Sequence, residues 1–298
     1  VADAASQSPS DLTITVTVTD ANDQTPSYTA GTTTFSVAEG STANIDSFAI
    51  TDTDTVGTLS CSESGNDAGD FDCAISSGTL TITWTNTPDY DAAADSDTNN
   101  VYAYTITVGD GTNDASSTTY AVTVTDNNDQ SPTASVSSTY SQAESSATTF
   151  QTYTITDSDT TGTYTCTLGG DDAADFAASI SGKTCTVTWA SAPDYDNAAD
   201  TGGNNVYDIT LAVSDGTNSN TYTTAVTVTD TNDQTPAATV AATYSIAENT
   251  ATVATITVTD TDTSGTLACS VAGTDNALFT CTVSSGTATL AFASAPNY

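Results

Sequence analysis

Apolar and small polar residues alternate one by one over many short stretches of this chain. The clearest stretches carry their apolar residues at Phe35/Val37, Phe48/Ile50, Leu80/Ile82/Trp84, Tyr102/Tyr104/Ile106/Val108 and Tyr120/Val122/Val124. A period of two places these side chains on one face, as in a β-strand with one buried face. No stretch has the period of a long amphipathic helix or the apolar length of a signal peptide or membrane span. The pattern predicts an all-β protein.

An acidic motif that ends in proline divides the chain at regular intervals. Its copies begin at Asp20, Asp126 and Asp230, which are 106 and 104 residues apart, and each reads Asp-x-Asn-Asp-Gln-Thr-Pro or the same with Ser before Pro. A period of this length matches one β-sandwich domain. We therefore predict a tandem array of seven-stranded Greek-key sandwiches, and we expect the function to lie at the junctions.

Other motifs recur with the same spacing, so the repeat does not depend on the junction motif alone. They are Glu39, Glu144 and Glu248; the pairs Asp52/Asp54, Asp157/Asp159 and Asp260/Asp262; Pro88-Asp-Tyr-Asp91 and Pro193-Asp-Tyr-Asp196, with a truncated Pro296-Asn-Tyr298; and Val108-Gly-Asp110 and Val213-Ser-Asp215. Val1-Ala-Asp3 resembles the last of these motifs.

The order of the motifs predicts four segments. Residues 1–24 are the last strand of a preceding repeat with its linker, 25–130 form repeat 1, 131–234 form repeat 2, and 235–298 form repeat 3, truncated before its last strands. Two explanations remain open. The chain is part of a longer array, or separate copies complete one another by exchanging strands.

The composition excludes several classes of function. The chain has one Lys or Arg, which is Lys183, no His, and 37 Asp and Glu, for a formal net charge of -36. Without imidazole, a Ser-His or Cys-His nucleophile cannot be built. Without clustered cationic side chains, nucleic acid has no electrostatic anchor, and an anionic membrane surface would repel the chain.

Six cysteines occur two to a repeat, as Cys61/Cys73, Cys166/Cys185 and Cys269/Cys281. An even count predicts one disulfide per repeat and therefore an extracellular, secreted protein. Repeat 2 has Ala178 where the other repeats have Cys73 and Cys281, and it has Cys185 where repeat 1 has Leu80. Because a Ser-Ser-Gly turn separates positions 73 and 80, we expect them on neighbouring strands of one hairpin. A disulfide can be kept when its second cysteine is on either strand of that hairpin.

The junction carboxylates have the chemistry of a calcium site. In extended segments, residues i and i+2 point the same way, so each Asp-x-Asp pair presents its oxygens together. Calcium takes six to eight hard oxygen ligands, whereas softer metals prefer the His and thiolate ligands that these junctions lack. A merely solvated acidic surface is the alternative, but it does not predict acids that cluster in register at domain boundaries.

These motifs together resemble the cadherin repeat family over nearly the whole chain. They are the Asp-x-Asn-Asp-x-x-Pro linker, the first-strand Glu, the Asp-Tyr-Asp that is similar to the family's Asp-Arg-Glu, the Asp-x-Asp, and the Asp-Gly of the penultimate strand. The resemblance implies calcium ions at each junction. Their ligands would come from the upper repeat, the linker and the lower repeat.

The resemblance implies three sets of metal ligands. For repeats 1 and 2 they are Glu39, Asp89, Asp91, Asp126, Asn128, Asp129, the backbone oxygens of Asn127 and Gln130, and Asp157, Asp159 and Asp215. For repeats 2 and 3 they are Glu144, Asp194, Asp196, Asp230, Asn232, Asp233, Asp260 and Asp262. For the first linker they are Asp20, Asn22, Asp23, Asp52, Asp54 and Asp110. At the far end, Glu248 is accompanied by Asn297 in place of Asp.

The chain departs from the family in two places. Each linker has Gln where the family has its last Asn. The first-strand tryptophan through which vertebrate members exchange strands has no counterpart. Trp84 and Trp189 lie in alternating strand patterns and are predicted to be core residues.

Two functions fit these observations. The first is an extracellular structural or adhesive rod, microbial by its composition, in which calcium stiffens the junctions. The alternative is a self-assembling fibre subunit in which the N-terminal strand completes repeat 3 of another copy through an open sheet edge. One donated strand would replace two missing strands, which counts against the alternative.

Enzymatic and sugar-binding roles fit less well. A glycosidase would use Glu39 with Asp89 or Asp91, but these residues recur like a ligand set, whereas an active site usually occurs once. Tyr90, Tyr195 and Tyr298 could stack on surface glycans, although their recurrence favours a structural role. Abundant Ser and Thr on outward strand positions leave O-glycosylation as a hypothesis, and Asn-x-Ser/Thr is absent.

Overall fold

A computed structural model describes residues 13–146 and 148–298, and the motif at Val1-Ala-Asp3 lies outside the described residues. The described residues form strands joined by turns, with only single-turn 3-10 segments as helix. The all-β prediction is confirmed. None of the helical turns in the described part of the chain has the length and apolar character needed to span a membrane.

Repeat 1 is a sandwich of two four-stranded sheets. Its strands are β1 Ser27–Tyr28, β2 Thr34–Ala38, β3 Asp46–Thr51, β4 Ser60–Ser64, β5 Phe71–Ser76, β6 Thr79–Trp84, β7 Val101–Gly109 and β8 Thr118–Thr125. One sheet has the order β1-β3-β6-β5 and the other β2-β8-β7-β4. The first strand is split between the two sheets as β1 and β2, which gives the seven strands of the predicted Greek key.

Repeat 2 has the same topology. Its strands are β9 Thr133–Ala134, β10 Thr139–Ala143, β11 Thr149–Thr156, β12 Thr165–Gly169, β13 Phe176–Ser181, β14 Thr184–Trp189, β15 Val206–Ser214 and β16 Ser219–Thr229. The sheets are β9-β11-β14-β13 and β10-β16-β15-β12. In both repeats, the second part of the split first strand pairs in parallel with the last strand, β2 with β8 and β10 with β16.

The alternating residues build the two cores. Apolar side chains of both sheets meet between the layers, where Leu80, Ile106 and Val187 are almost completely buried. Trp189 is 3% exposed, and Trp84 packs against the core of repeat 1. Their predicted role as core residues is confirmed.

The three predicted disulfides are present. They are Cys61–Cys73, Cys166–Cys185 and Cys269–Cys281, with Cα–Cα distances of 6.2, 6.0 and 5.8 Å. Cys73 lies on β5, whereas Cys185 lies on β14, the counterpart of β6, so the bridge has crossed the hairpin as expected. Each closed loop contributes roughly 3 kcal/mol of stability, which matters for small cores.

Repeat 3 contains one sheet among its described residues. Its strands are β17 Ala237–Ala238, β18 Thr252–Thr259, β19 Phe279–Ser284 and β20 Thr287–Phe292, in the order β17-β18-β20-β19. The residues equivalent to β10 and β12 are present in the sequence but form no strand there. Because a β-strand needs a neighbour for its backbone hydrogen bonds, these segments are irregular where no neighbouring strand lies beside them among the described residues.

The chain divides into two compact units. One runs to Asn128 and includes Asp159–Thr161, and the other comprises Asp129–Ser158 and Gly162–Tyr298. The first unit therefore contains all the strands of repeat 1, and the second contains the strands of repeats 2 and 3. Residues 13–20, predicted to be a last strand, carry no strand assignment, and Ile14, Val16 and Val18 are 75%, 80% and 90% exposed.

Candidate metal sites at the repeat junctions

Glu144 fixes the junction of repeats 2 and 3 inside the second unit. Its side chain is 4% exposed, and its carboxylate accepts hydrogen bonds on both oxygens. Oε2 accepts from the backbone N–H of Tyr195 at 2.6 Å, and Oε1 accepts from that of Thr231 at 2.6 Å. One glutamate thus joins the Pro-Asp-Tyr-Asp loop to the linker, through charge-assisted hydrogen bonds.

The linker is tied to repeat 3 by two aspartates. Asp230 Oδ2 accepts from the backbone N–H and hydroxyl of Thr263 and, at 2.7 Å, from the backbone N–H of Ser264. The backbone N–H of Gln234 donates to both oxygens of Asp262, at 3.2 and 3.0 Å. These bonds connect the linker directly to the segment of repeat 3 that carries Asp262.

A glycine lets the linker lie close to repeat 3. Gly265 has φ +95°, and a Cβ at this position would lie 3.0 Å from Asn232 Nδ2 and 3.1 Å from its Cγ. In the first unit, Gly57 has φ +105° and would meet Asn22 Nδ2 at 2.8 Å. Both positions need glycine because of the left-handed backbone and because the linker asparagine occupies the space of a side chain.

The carboxylates converge beside these anchors. Glu144, Asp196 and Asp233 each present an oxygen within 4.8 Å of the others. Burial, together with the negative charges of Asp262, Glu144, Asp230 and Asp233, raises the pKa of Asp196. A carboxylate with this environment gains from a cation, because a cation replaces lost water and cancels the repulsion.

The first unit repeats this arrangement at Glu39. Its Oε2 accepts from the backbone N–H of Tyr90 at 2.6 Å and its Oε1 from that of Asn127 at 2.7 Å. Asp91, Asp126 and Asp159 then present oxygens within 4.8 Å of one another.

The electrostatic cost is largest at Asp91. Burial, together with the negative charges of Asp159, Glu39, Asp126 and Asp89, raises its pKa to about 6. Asp126 is instead held by hydrogen bonds on Oδ2 from the hydroxyl of Thr160 and, at 2.5 Å, from its backbone N–H.

The first linker lies beside a third group of acids in the same unit. Asp52, Asp54 and Asp110 bring their oxygens within 4.8 Å of one another. Asn22 Nδ2 donates to Asp110 Oδ1 at 3.3 Å, and Asp20 Oδ2 accepts from the backbone N–H of Thr55 at 2.6 Å. The hydrogen bond from Thr55 holds the pKa of Asp20 below its usual value.

Several predicted ligands have a local hydrogen-bonding role in addition. Asp89 and Asp194 each accept from the backbone N–H three residues later, and Asp23, Asp129 and Asp233 each accept from the side chain of the following glutamine. Asp215 Oδ1 accepts from the backbone N–H groups of Thr217 and Asn218, both at 2.7 Å. Asp129, Gln130, Asp157 and Asp215 belong to the second unit, and Asn128 to the first.

Four buried aspartates lie outside the motifs that predicted the junctions. Asp67 accepts from the backbone N–H groups of Ser96 and Ala103, and Asp95 from those of Asn99 and Asn100. Asp172 and Asp200 repeat this arrangement in repeat 2. Their carboxylates tie down the loop before β7 and β15. These aspartates recur at equivalent positions of repeats 1 and 2, and this recurrence was the signal available in the sequence. They do not belong to any of the junction motifs.

The oxygens that remain without a hydrogen bond identify what the junctions lack. Buried oxygen atoms without a hydrogen-bond partner among the described residues occur at Asn22 Oδ1, Asp91 Oδ2, Asp110 Oδ2, Asp126 Oδ1, both Oδ atoms of Asp196, Asp230 Oδ1 and Asp260 Oδ1. Such groups are normally paired when buried. A ligand set that consists entirely of oxygens fits a hard cation such as calcium.

Comparison with known proteins gives the fold of cadherin extracellular repeats. The chain is similar to the protocadherin gammaB7 EC3-6 cis-dimer structure, with a TM-score of 0.70 and 22% identity over 93% of this chain and 71% of that chain. It is also similar to mouse cadherin-23 EC22-24, with a TM-score of 0.64 and 22% identity over 92% of this chain and 90% of that one. No family model and no curated protein matches the sequence. The cadherin-like tandem-repeat prediction is confirmed at the level of fold.

Proposed function

We propose that this protein is an extracellular structural or adhesive rod whose cadherin-like repeats are stiffened by calcium at their junctions. The observation that carries the proposal is the convergence of buried carboxylate oxygens without hydrogen-bond partners beside Glu39 and Glu144. The proposal includes three repeats, with boundaries at 25–130, 131–234 and 235–298. Secretion agrees with the three disulfides.

The proposed ligands at the second junction are the set predicted from the sequence. Asp230 is held by backbone N–H groups on Oδ2, which leaves its Oδ1 for the ion. Both oxygens of Glu144 accept backbone hydrogen bonds, and they would bind the ion through their remaining lone pairs. Burial and the negative charges of four neighbouring carboxylates raise the pKa of Asp196. Calcium would supply the positive charge that this group of acids lacks, and its flexible coordination tolerates their irregular placement.

Calcium binding would have a mechanical consequence. At an effective dielectric constant of about 20, two carboxylates at 4 Å repel by about 4 kcal/mol. Several such pairs favour separation of the linker from the repeats in the absence of cations. Bound calcium would convert this repulsion into attraction on both sides of the linker, and the joint would become stiff.

Sedimentation velocity in calcium and in EGTA tests the proposal on the whole chain. We expect a more extended frictional shape in calcium. Asp196→Asn should weaken calcium binding by about tenfold or more in titration calorimetry, because it removes a charged ligand. Asp208→Asn is the control, since it removes the same charge from an exposed position on β15. Equal binding by both variants, or identical sedimentation in the two buffers, would contradict the proposal.

A further inference from the structure

The single basic side chain of the protein lies beside two of the predicted calcium ligands. Lys183 is the one Lys or Arg of the sequence, against 37 Asp and Glu. Its Nζ donates to the backbone oxygen of Asp157 at 3.1 Å. Asp157 and Asp215 each present a carboxylate oxygen within 4.8 Å of the other. All three residues belong to the second unit, so this placement is internal to repeat 2.

Repeats 1 and 3 have glycine where repeat 2 has this lysine. The position is the second residue of the tight turn between the two hairpin strands, and its counterparts are Gly78 and Gly286. The backbone oxygens of Gly78, Lys183 and Gly286 each accept a hydrogen bond from the same position of the neighbouring strand, so the three residues are structurally equivalent. The positive charge therefore distinguishes one repeat from the other two.

The turn of repeat 2 is built to accept a long side chain at this position. In repeat 1, both central residues of the turn have positive φ, +50° for Ser77 and +74° for Gly78. In repeat 2, the glycine stands one position earlier, and Gly182 takes the positive φ, +57°. Lys183 then has an ordinary backbone conformation, which an L side chain adopts without strain.

Two contacts direct the lysine side chain. Besides its hydrogen bond to Asp157, Nζ lies 5.1 Å from the centroid of the Tyr164 ring, a cation–π contact. Lys183 is itself exposed. Water and salt therefore screen its charge, and the charge should act on the neighbouring acids with the modest strength of a surface pair.

We propose that Lys183 is a built-in counter-charge that lowers the calcium affinity of the site containing Asp157 and Asp215. Without calcium, its positive charge offsets part of the repulsion between these carboxylates. When calcium binds, the same charge repels the ion. The inference rests on the proposed calcium function and adds to it a residue that is not an oxygen ligand. The site in repeat 3 that contains Asp260 and Asp262 has no such charge, because its turn carries Gly286.

This role has two consequences of opposite sign. Removing the charge should destabilise the calcium-free protein and should strengthen calcium binding. A lysine that only ordered the Asp157 segment through its hydrogen bond would behave differently, since its loss would weaken both stability and calcium binding. The sign of the change in affinity therefore separates an electrostatic role from a structural one.

The test is a calcium titration of the whole chain followed by NMR, in which separate amides report the two sites. The backbone N–H of Thr217 donates to Asp215, and that of Ser264 donates to Asp230 in the other junction. Lys183→Gln should tighten binding at Thr217 by about twofold to fivefold at low salt, as expected for an exposed charge pair. Binding reported by Ser264 should not change, which provides a reference within the same molecule.

Two control variants isolate the charge and its position. Lys183→Arg keeps the charge and should bind calcium like the wild type. Thr152→Glu changes the net charge by the same amount at an exposed position on β11. It lies about 16 Å along the strand from Asp157, which is more than a Debye length of about 10 Å, so calcium binding at Thr217 should stay close to that of the wild type.

Thermal unfolding in EGTA is the second measurement and needs no calcium. At low salt, Lys183→Gln should unfold roughly 2–4 °C below the wild type. Salt at about 1 M should abolish the difference, because the Debye length then falls to about 3 Å.

The outcomes separate this inference from the calcium proposal. Equal affinity at Thr217 in the wild type and Lys183→Gln would overturn the role of Lys183 while the calcium sites stand. Weaker binding by Lys183→Gln would overturn it as well, in favour of a purely structural lysine. Calcium that shifts neither the Thr217 nor the Ser264 resonance in the wild type would contradict the calcium function itself.

Discussion

Repeats 2 and 3 carry nearly the same strand pattern but differ sharply in burial. Ile155 on β11 is 1% exposed, whereas its equivalent Val258 on β18 is only partly buried. Glu144 is buried with both oxygens bonded, whereas Glu248 is exposed. The difference is the second sheet, which repeat 2 has and repeat 3 lacks among its described residues. Alternation therefore selects the strand and its apolar face, and the facing sheet decides whether that face becomes a core.

The largest expected difference between the two repeats concerns their apolar residues. Ile155→Ala should destabilise repeat 2 by about 3 kcal/mol, because it leaves a cavity in a packed core. Val258→Ala should cost less than about 1 kcal/mol, since its surroundings are open. Hydrogen exchange resolved by repeat, on the monomeric chain, measures both. Equal losses would mean that the face of repeat 3 is covered in solution.

The buried glutamate should come next in size. Glu144→Gln removes a charged acceptor of buried backbone N–H groups and should cost about 2 kcal/mol, together with calcium affinity at that junction. Glu248→Gln should change stability by less than about 0.5 kcal/mol, because the residue is exposed. Thermal unfolding and calorimetry on the two single variants make the comparison. A larger loss at Glu248 would contradict it.

Substitutions of two glycines of repeat 3 distinguish the effect of backbone strain from an effect on calcium binding at the junction. Gly265→Ala and Gly273→Ala both place a side chain at positive φ, +95° and +114°, and each should lose about 1 kcal/mol. Only Gly265→Ala should also weaken calcium binding, because its Cβ would displace Asn232, whereas no atom lies within 4 Å of a Cβ at Gly273. Unchanged calcium affinity in Gly265→Ala would show that the position of Asn232 is unimportant.

The smallest expected effect is on the pH dependence of stability. It should differ between the junction at Asp91 and the far end of the chain at Asn297. Without calcium, the folded-state pKa of Asp91 is raised from 3.8 to about 6, so the folded state binds its proton more tightly than the unfolded state does. Stability should therefore fall modestly as pH rises through this window, and calcium affinity should rise, since the ion needs the ionised carboxylate. Asp91→Asn should flatten the pH dependence of stability. Asn297, the counterpart of Asp89, does not titrate, and Asn297→Ala should leave the profile unchanged.

Much of the fold could be predicted because the relevant signals are local. The pairs at Leu80/Ile82 and Tyr120/Val122 marked strands with a period of two, and those residues are buried in the core. The disulfide that moved from Cys73 to Cys185 was predictable because the turn between the two positions is a short hairpin. The hydrogen-bonded role of Asp67 was not predictable from local spacing, since its donors Ser96 and Ala103 lie 29 and 36 residues away in sequence.

Residue type and spacing along the chain were enough to predict the repeat, the strands, the cysteine pairs and the oxygen-only chemistry of the junctions. The three-dimensional fold was needed to show which carboxylates stand together and which of their oxygens lack a hydrogen bond. It also decided that Val258 and Glu248 are exposed while their counterparts are buried. Burial and electrostatic repulsion depend on what faces a residue across the sandwich, and that neighbour is distant in the sequence.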